Sequence, residues 1–156
     1  MITVLTAVLI IVGTGAWKLY SSNTGYQSQA AAAAVKKAKQ RYVFDQVKSV
    51  TPYNGTDAYQ VIQAKRNGKK MYIWVPDNPK KAPFIERAAS SGMTEGQAMQ
   101  KLADRHLDVK QVISARLGAI NGNPVWEITF LNSRNNYNYV SFYFENGKEA
   151  QRILNL

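Results

Sequence analysis

The stretch Asp57 to Pro76, DAYQVIQAKRNGKKMYIWVP, reads as a β-hairpin, and the chain writes something very like it again sixty-seven residues later. Ala58 to Ala64 and Met71 to Val75 are rich in β-branched and aromatic residues, and Arg66-Asn67-Gly68-Lys69 between them supplies the turn. A lone hairpin is marginal in water, so it needs a further strand and a cover. The echo is Asn121 to Asn146, set beside Asn54 to Asn78. Asn54-Gly55 matches Asn121-Gly122, and Tyr59-Gln60-Val61 matches Trp126-Glu127-Ile128. One residue further along, Trp74, Asp77 and Asn78 match Phe142, Glu145 and Asn146. Each copy follows a candidate helix. The pattern predicts an α+β chain in which one unit of about 60 residues, a helix packed on an antiparallel β-sheet, is used twice.

A chain of 156 residues has room for two such units, each with a modest core, so the two are expected to pack together. The absence of cysteine removes disulfide scaffolds, zinc–cysteine sites and thiol nucleophiles. Twenty Lys and Arg against ten Asp and Glu give +10, which favours an anionic neighbour: nucleic acid, anionic lipid or an acidic polymer.

Met1 to Trp17 has no ionisable side chain and contains the run Val4 to Val12, with Trp17, Lys18 and Tyr20 as an interfacial belt. Its helix would be about 25 Å long at about 1.5 Å per residue. That is slightly short of a hydrocarbon core of about 30 Å, a gap that a snorkelling Lys18 closes. Residues 1–20 are therefore expected to form a single-pass membrane anchor, with the remainder outside the cytoplasm. A cleaved signal peptide, with Thr14-Gly15-Ala16 as its small-x-small site, is the rival reading. No Lys or Arg precedes the run, so orientation rests on the α-amino group, with Lys18 weakly opposing it.

Residues 21–29, SSNTGYQSQ, read as a polar linker, residues 30–91 as the first unit and 92–156 as the second. Ala30 to Arg41 predicts a helix with Ala31, Ala34, Val35, Ala38 and Tyr42 along one face. Lys36, Lys37, Lys39 and Arg41 take the other; a solvated face accounts for them, and the sharper reading is a contact with anionic lipid headgroups or wall polymer. Val43 to Tyr53 reads as the first strand. Both faces of the following hairpin are apolar, so one is expected under the helix and the other against the second unit or a partner. Pro76 to Pro83 breaks the strand and Phe84-Ile85 is a short return. Thr94-Glu95-Gly96-Gln97 is a capping box opening a helix to about His106, with Ala98, Met99, Leu102, Ala103 and His106 or Leu107 as its buried stripe. Strands at Lys110 to Ala119, Val125 to Leu131, Tyr137 to Phe144 and Gln151 to Leu154 complete the second unit.

A catalytic constellation is missing from this pattern. His106 is the only histidine and sits at a helix end, where a structural role suffices. One histidine and no cysteine make no transition-metal cluster, and no cofactor motif is present. Glu127 and Glu145 lie in the repeated hairpin and could approach each other, but Gln60 stands for Glu127 in the first copy. The expectation is a non-enzyme. Tyr and Trp beside Lys65, Arg66, Lys69 and Lys70 are parts that a single-strand nucleic-acid binder would use. With a membrane anchor the available anions are lipid and wall polymer, so no nucleic acid is expected.

The order of parts, a short apolar N-terminus and then two helix-plus-sheet units, with Tyr72-Ile73-Trp74-Val75-Pro76 closing the first hairpin, resembles the TseB-like family of bacterial cell wall elongation regulators. Gly92 to Ala98 followed by Val125 to Lys148 carries the remainder of the likeness. The halves of that family are similar to PepSY domains. The resemblance implies a single-pass membrane protein of a Gram-positive bacterium that binds a class B penicillin-binding transpeptidase and modulates wall synthesis. An alternative is a PepSY-type binding or inhibitory module acting on an extracytoplasmic peptidase.

Surplus apolar surface suggests where a partner would dock. Trp126, Ile128 and Phe130, with Val140, Phe142 and Phe144, are expected to face their own helix, leaving Tyr137, Tyr139 and Tyr143 on the other side. In the first copy the matching outer residues are Met71, Ile73 and Val75. Arg134, Tyr137, Tyr139 and Tyr143 are the candidate partner-binding residues, tyrosine being favoured at interfaces.

Overall fold

The computed structural model describes residues 27–156. The expected anchor, 1–20, lies outside the described residues, as does most of the linker; its last residues, 27–29, are helical. Among the described residues no helix is long and apolar enough to cross a membrane.

Helix α1, described over 27–39, leads into four antiparallel strands in the order β1 (Gln46–Asn54), β2 (Ala58–Arg66), β3 (Lys69–Pro76) and β4 (Ile85–Ala88). A 3-10 turn, Ala89–Ser91, connects to α2 (Glu95–Ala103), and four more antiparallel strands follow: β5 (Gln111–Ile120), β6 (Asn123–Leu131), β7 (Tyr137–Tyr143) and β8 (Glu149–Ile153). The fold is α+β, with two four-stranded antiparallel sheets and few helices.

Local chemistry accounts for the elements. Asn67 and Gly68 have φ of 50° and 76°, and Asn121 and Gly122 have 50° and 74°, the left-handed pair that a two-residue hairpin turn demands. Thr94 Oγ1 accepts from the Gln97 N–H at 3.2 Å and the Gln97 side chain accepts from the Thr94 N–H at 2.9 Å, so the capping box is closed. Helix α2 ends at Ala103, earlier than its apolar spacing suggested. Ala98 and Leu102 are its buried residues, whereas Ala103 and His106 are exposed. His106 lies past the helix with φ of 51°, not on its buried stripe. Val43, expected to begin β1, is 75% exposed in the connection from α1.

Two clusters form the interior. Ala34 and Ala38 of α1, with Phe44, lie on Ile62, Ala64, Met71, Ile73 and Val75 of the first sheet. These three β3 residues are therefore the helix-covered side, not the outer side read from the sequence. The opposite face, Tyr53, Tyr59, Val61, Tyr72 and Trp74, joins α2 and the second sheet's Leu117, Trp126, Ile128, Phe130 and Phe142 in one continuous core. Phe144 stands edge-on to both Tyr72 and Trp74, with ring centroids 6.0 Å apart in each case. Arg87 pairs with Glu145 across the junction at 2.8 Å.

The repeat is real but offset by one residue from the match read in the sequence. Both sheets carry a bulge at the same place, between Val47 and Ser49 in β1 and between Val112 and Ser114 in β5. Counting rungs from the bulge sets Val50, Ile62 and Ile73 beside Ala115, Ile128 and Val140, all of them turned to their own unit's helix. A one-residue slip exchanges the two faces of every strand. It is this slip that placed Met71, Ile73 and Val75 on the wrong side.

Candidate functional site

On the same rungs the face of the first sheet turned away from its helix has an equivalent in the second. Tyr53, Tyr59, Val61 and Trp74 correspond to Gly118, Val125, Glu127 and Ser141, and Tyr72 corresponds to Tyr139. In the first unit this face is buried against the second. In the second unit the equivalent residues belong to neither interior cluster, and Tyr53 of the first unit reaches across to Gly118 and Glu127.

This face of the second sheet has a polar centre and an aromatic rim. The Glu127 carboxylate accepts from the Tyr53 hydroxyl at 3.1 Å and faces an Arg116 guanidinium nitrogen at 3.5 Å. Burial first, and then the charge and hydrogen bond of Glu127, push the Tyr53 hydroxyl well above the usual tyrosine range. Ser141 lies opposite Glu127, Tyr139 opposite Thr129 and Tyr143 opposite Val125. Thr129 and Ser141 are buried and Tyr139 and Tyr143 half-buried, while Tyr137 is 48% exposed. The Thr129 hydroxyl and Arg116 Nε are buried without a hydrogen-bond partner.

Apolar groups extend the rim along the edge of the sheet. Ile153 pairs with Tyr139, and the Leu156 backbone exchanges hydrogen bonds with Tyr137 at 3.0 and 3.1 Å. All three of Tyr137, Ile153 and Leu156 are exposed. Arg134 sits in the β6–β7 turn, where its guanidinium donates to Asn155 Oδ1 at 3.1 Å. The same oxygen accepts from Asn132 Nδ2 at 3.0 Å, and the Asn155 N–H donates to Asn138 Oδ1 at 2.9 Å. This asparagine network clamps the C-terminus beside the tyrosines. It was missed in the sequence, although Asn132, Asn135, Asn136 and Asn138 crowd one turn.

The tyrosine face and the basic helix face are not brought together. Lys36, Lys37 and Lys39 are exposed on α1, which belongs to the first unit, and Arg41 lies over the Phe84 ring at 4.2 Å. Arg41 is thus partly engaged within the fold. Glu127 and Glu145, considered as a pair in the sequence, have separate partners in Arg116 and Arg87. Among the described residues no group of three His, Cys, Asp or Glu could hold a metal ion.

The arrangement defines a two-unit α+β protein in which one sheet face is spent on joining the units and its counterpart lies outside the shared core. Residues 33–76 match the family model of the cell wall elongation regulator TseB-like domain. The chain is 29% identical over 138 residues to the probable cell wall elongation regulator TseB of Bacillus subtilis (strain 168), covering 86% of this chain and 83% of that one. Its fold is similar to the solved structure of the YpmB protein from Bacillus subtilis, with a TM-score of 0.72 and 28% identity over 78% of this chain and 94% of the other. The resemblance to the TseB-like family read from the sequence therefore stands.

Proposed function

We propose that this chain is a non-enzymatic binding protein that regulates cell wall elongation, docking on a class B penicillin-binding transpeptidase through the tyrosine-bearing face of its second sheet. In this reading residues 1–20 hold it in the membrane of a Gram-positive bacterium and the two sheets stand outside the cytoplasm. The observation that carries the binding role is the inequality of two equivalent faces. The first unit's face is a docking surface already in use, and the second unit's counterpart, outside the shared core apart from the Tyr53 hydroxyl on Glu127, presents Tyr137, Tyr139 and Tyr143. Tyrosine around a desolvated polar centre is an interface composition. The regulatory role is supported by the relative named as a probable cell wall elongation regulator.

Crosslinking in intact membranes, from photoreactive groups placed at Tyr139 and Tyr143 in turn, tests this. Capture of a penicillin-binding transpeptidase is the expected result. Capture of an extracytoplasmic peptidase, or of nothing from this face while α1 captures a partner, would overturn it.

A further inference from the structure

The tip of the β2–β3 hairpin carries an arrangement that a sheet disfavours. Lys65 stands directly opposite Lys70, and on the next rung Arg66 stands directly opposite Lys69. Like charges facing each other across an antiparallel pair destabilise it. The turn between them, Asn67-Gly68, fits a tight hairpin and gives the strands no reason to splay. Counter-charges nearby are few. Arg66 pairs with Glu86, and Asp45 is occupied as acceptor of the Asn67 N–H at 2.6 Å. No salt bridge among the described residues includes Lys65, Lys69 or Lys70.

The tip also overhangs its neighbour. Strand β4 stops at Ala88, opposite Met71, so Lys69 and Lys70 continue past it unpaired on that side. A pocket of about 460 Å³ opens at the overhang, lined by Arg66, Lys69, Lys70 and Arg87, with Glu86 as its one carboxylate and Met71 in its wall. The surrounding charge points the same way. Residues 1–91 hold thirteen of the Lys and Arg and four of the Asp and Glu, a balance of +9; residues 92–156 hold seven and six, a balance of +1. The excess that makes the chain basic belongs to the first unit.

We propose that this hairpin tip is a binding site for a phosphate-bearing polyanion, a chain of repeated phosphodiester or phosphoanhydride charges. Successive rungs point to opposite faces of a strand, so Lys65 and Lys70 lie on one face of the tip and Arg66 and Lys69 on the other. One small anion on one face leaves half of the repulsion in place, whereas a chain passing over the tip relieves both pairs. Lysine ammonium groups act on phosphate as point charges and accept a chain without fixed register. The tip lies at the end of α1 remote from residue 27: the chain leaves the helix at 39, and the Asp45 N–H then bonds the Lys65 carbonyl at 2.8 Å. That separation favours a polymer over headgroups of the bilayer in which the N-terminus is proposed to sit, and this choice of source rests on the anchored reading.

The test uses the full chain in nanodiscs of neutral phosphatidylcholine, titrated calorimetrically with inorganic polyphosphate and, separately, with phosphatidylglycerol vesicles. Expected are saturable polyphosphate binding that weakens with added salt, and binding about tenfold weaker in the Lys65→Gln/Lys70→Gln variant. That variant should melt at a higher temperature than the parent when no polyanion is present, which shows that it is folded and that the repulsion was real. Lys36→Gln/Lys37→Gln/Lys39→Gln should bind as the parent does. Absence of saturable binding, an unchanged affinity in the hairpin variant, or loss of affinity in the helix variant instead would each overturn the site. Hairpin-dependent capture of the vesicles without capture of polyphosphate would overturn the polymer as its ligand, and with it the placement relative to the membrane.

Discussion

The indole Nε1 of Trp74 donates to the Gly118 carbonyl at 2.9 Å, so the largest fully buried side chain among the described residues, in the first sheet, is fastened to the edge strand of the second. Tyr53 takes the other side of the same glycine. A Cβ built on Gly118 would stand 2.3 Å from the Tyr53 ring, a distance that no side chain there can relieve without moving the junction.

Gly118→Ala is therefore expected to destabilise by about 3 kcal/mol, through forced separation of the two sheets. Gly96→Ala provides the contrast, because its Cβ meets only Thr94 Oγ1 at 4.0 Å. Inside α2 that change should be neutral or stabilise by up to about 1 kcal/mol. Urea denaturation of the two variants checks the pair, and equal midpoints would refute the account of the junction.

The two hairpin glycines separate backbone strain from steric crowding. Gly68 has φ of 76° and nothing within 4 Å of where an added methyl would sit, whereas a methyl on Gly122 would meet Pro83 Cγ at 3.1 Å. Gly68→Ala should cost about 1 kcal/mol from conformation alone. Gly122→Ala should cost more. Thermal unfolding read by circular dichroism orders them, and a smaller loss at Gly122 would contradict the contact with Pro83.

Tyr53 makes stability sensitive to alkali. Its hydroxyl titrates above the ordinary value of 10.0 in the folded protein, because burial and Glu127 disfavour the phenolate. The unfolded chain therefore releases that proton first as pH rises. Stability from this group is complete below about pH 10 and falls as pH climbs through and beyond it. In Tyr53→Phe the alkaline decline should be shallower, with a residual slope from Tyr42 and Tyr59, which burial also shifts upward. Denaturation midpoints measured on either side of that pH give both slopes, and parallel declines would exclude the Tyr53–Glu127 contact as their source.

The docking face makes a different demand. Tyr139→Ser with Tyr143→Ser should abolish partner capture while the melting temperature falls by no more than about 5 °C, because both rings are only half-buried and belong to neither interior cluster. A larger fall would assign them to the fold.

Much of this architecture was legible in the chain because local signals agreed with one another. The Asn67-Gly68 turn lies between alternating apolar runs, and the Thr94/Gln97 pair opens its helix where the spacing placed it. The duplication was legible as well, but not its register. Asn54-Gly55 and Asn121-Gly122 look equivalent, yet on the rungs Asn54 corresponds to Ala119, and the second hairpin is one rung longer before it turns. Apolar content could not correct the slip, since Met71, Ile73 and Val75 and their neighbours Tyr72 and Trp74 are all buried, each set by a different cover. The tyrosines of β7 could be assigned to a face because that sheet is covered on one side. Their polar centre could not be foreseen, because Tyr53 reaches Glu127 from the other unit, 74 positions away.

The single core running through both sheets has a mechanical corollary. Trp74 is hydrogen-bonded to Gly118, Arg87 is paired to Glu145, and a shared core fills the junction, so the two units are joined at several points. A partner docked on the tyrosines as proposed would thereby be tied to the first unit as well as to the second. On the proposed reading the molecule would serve as a strut that sets how far apart two attachments stand, and its output would be a distance.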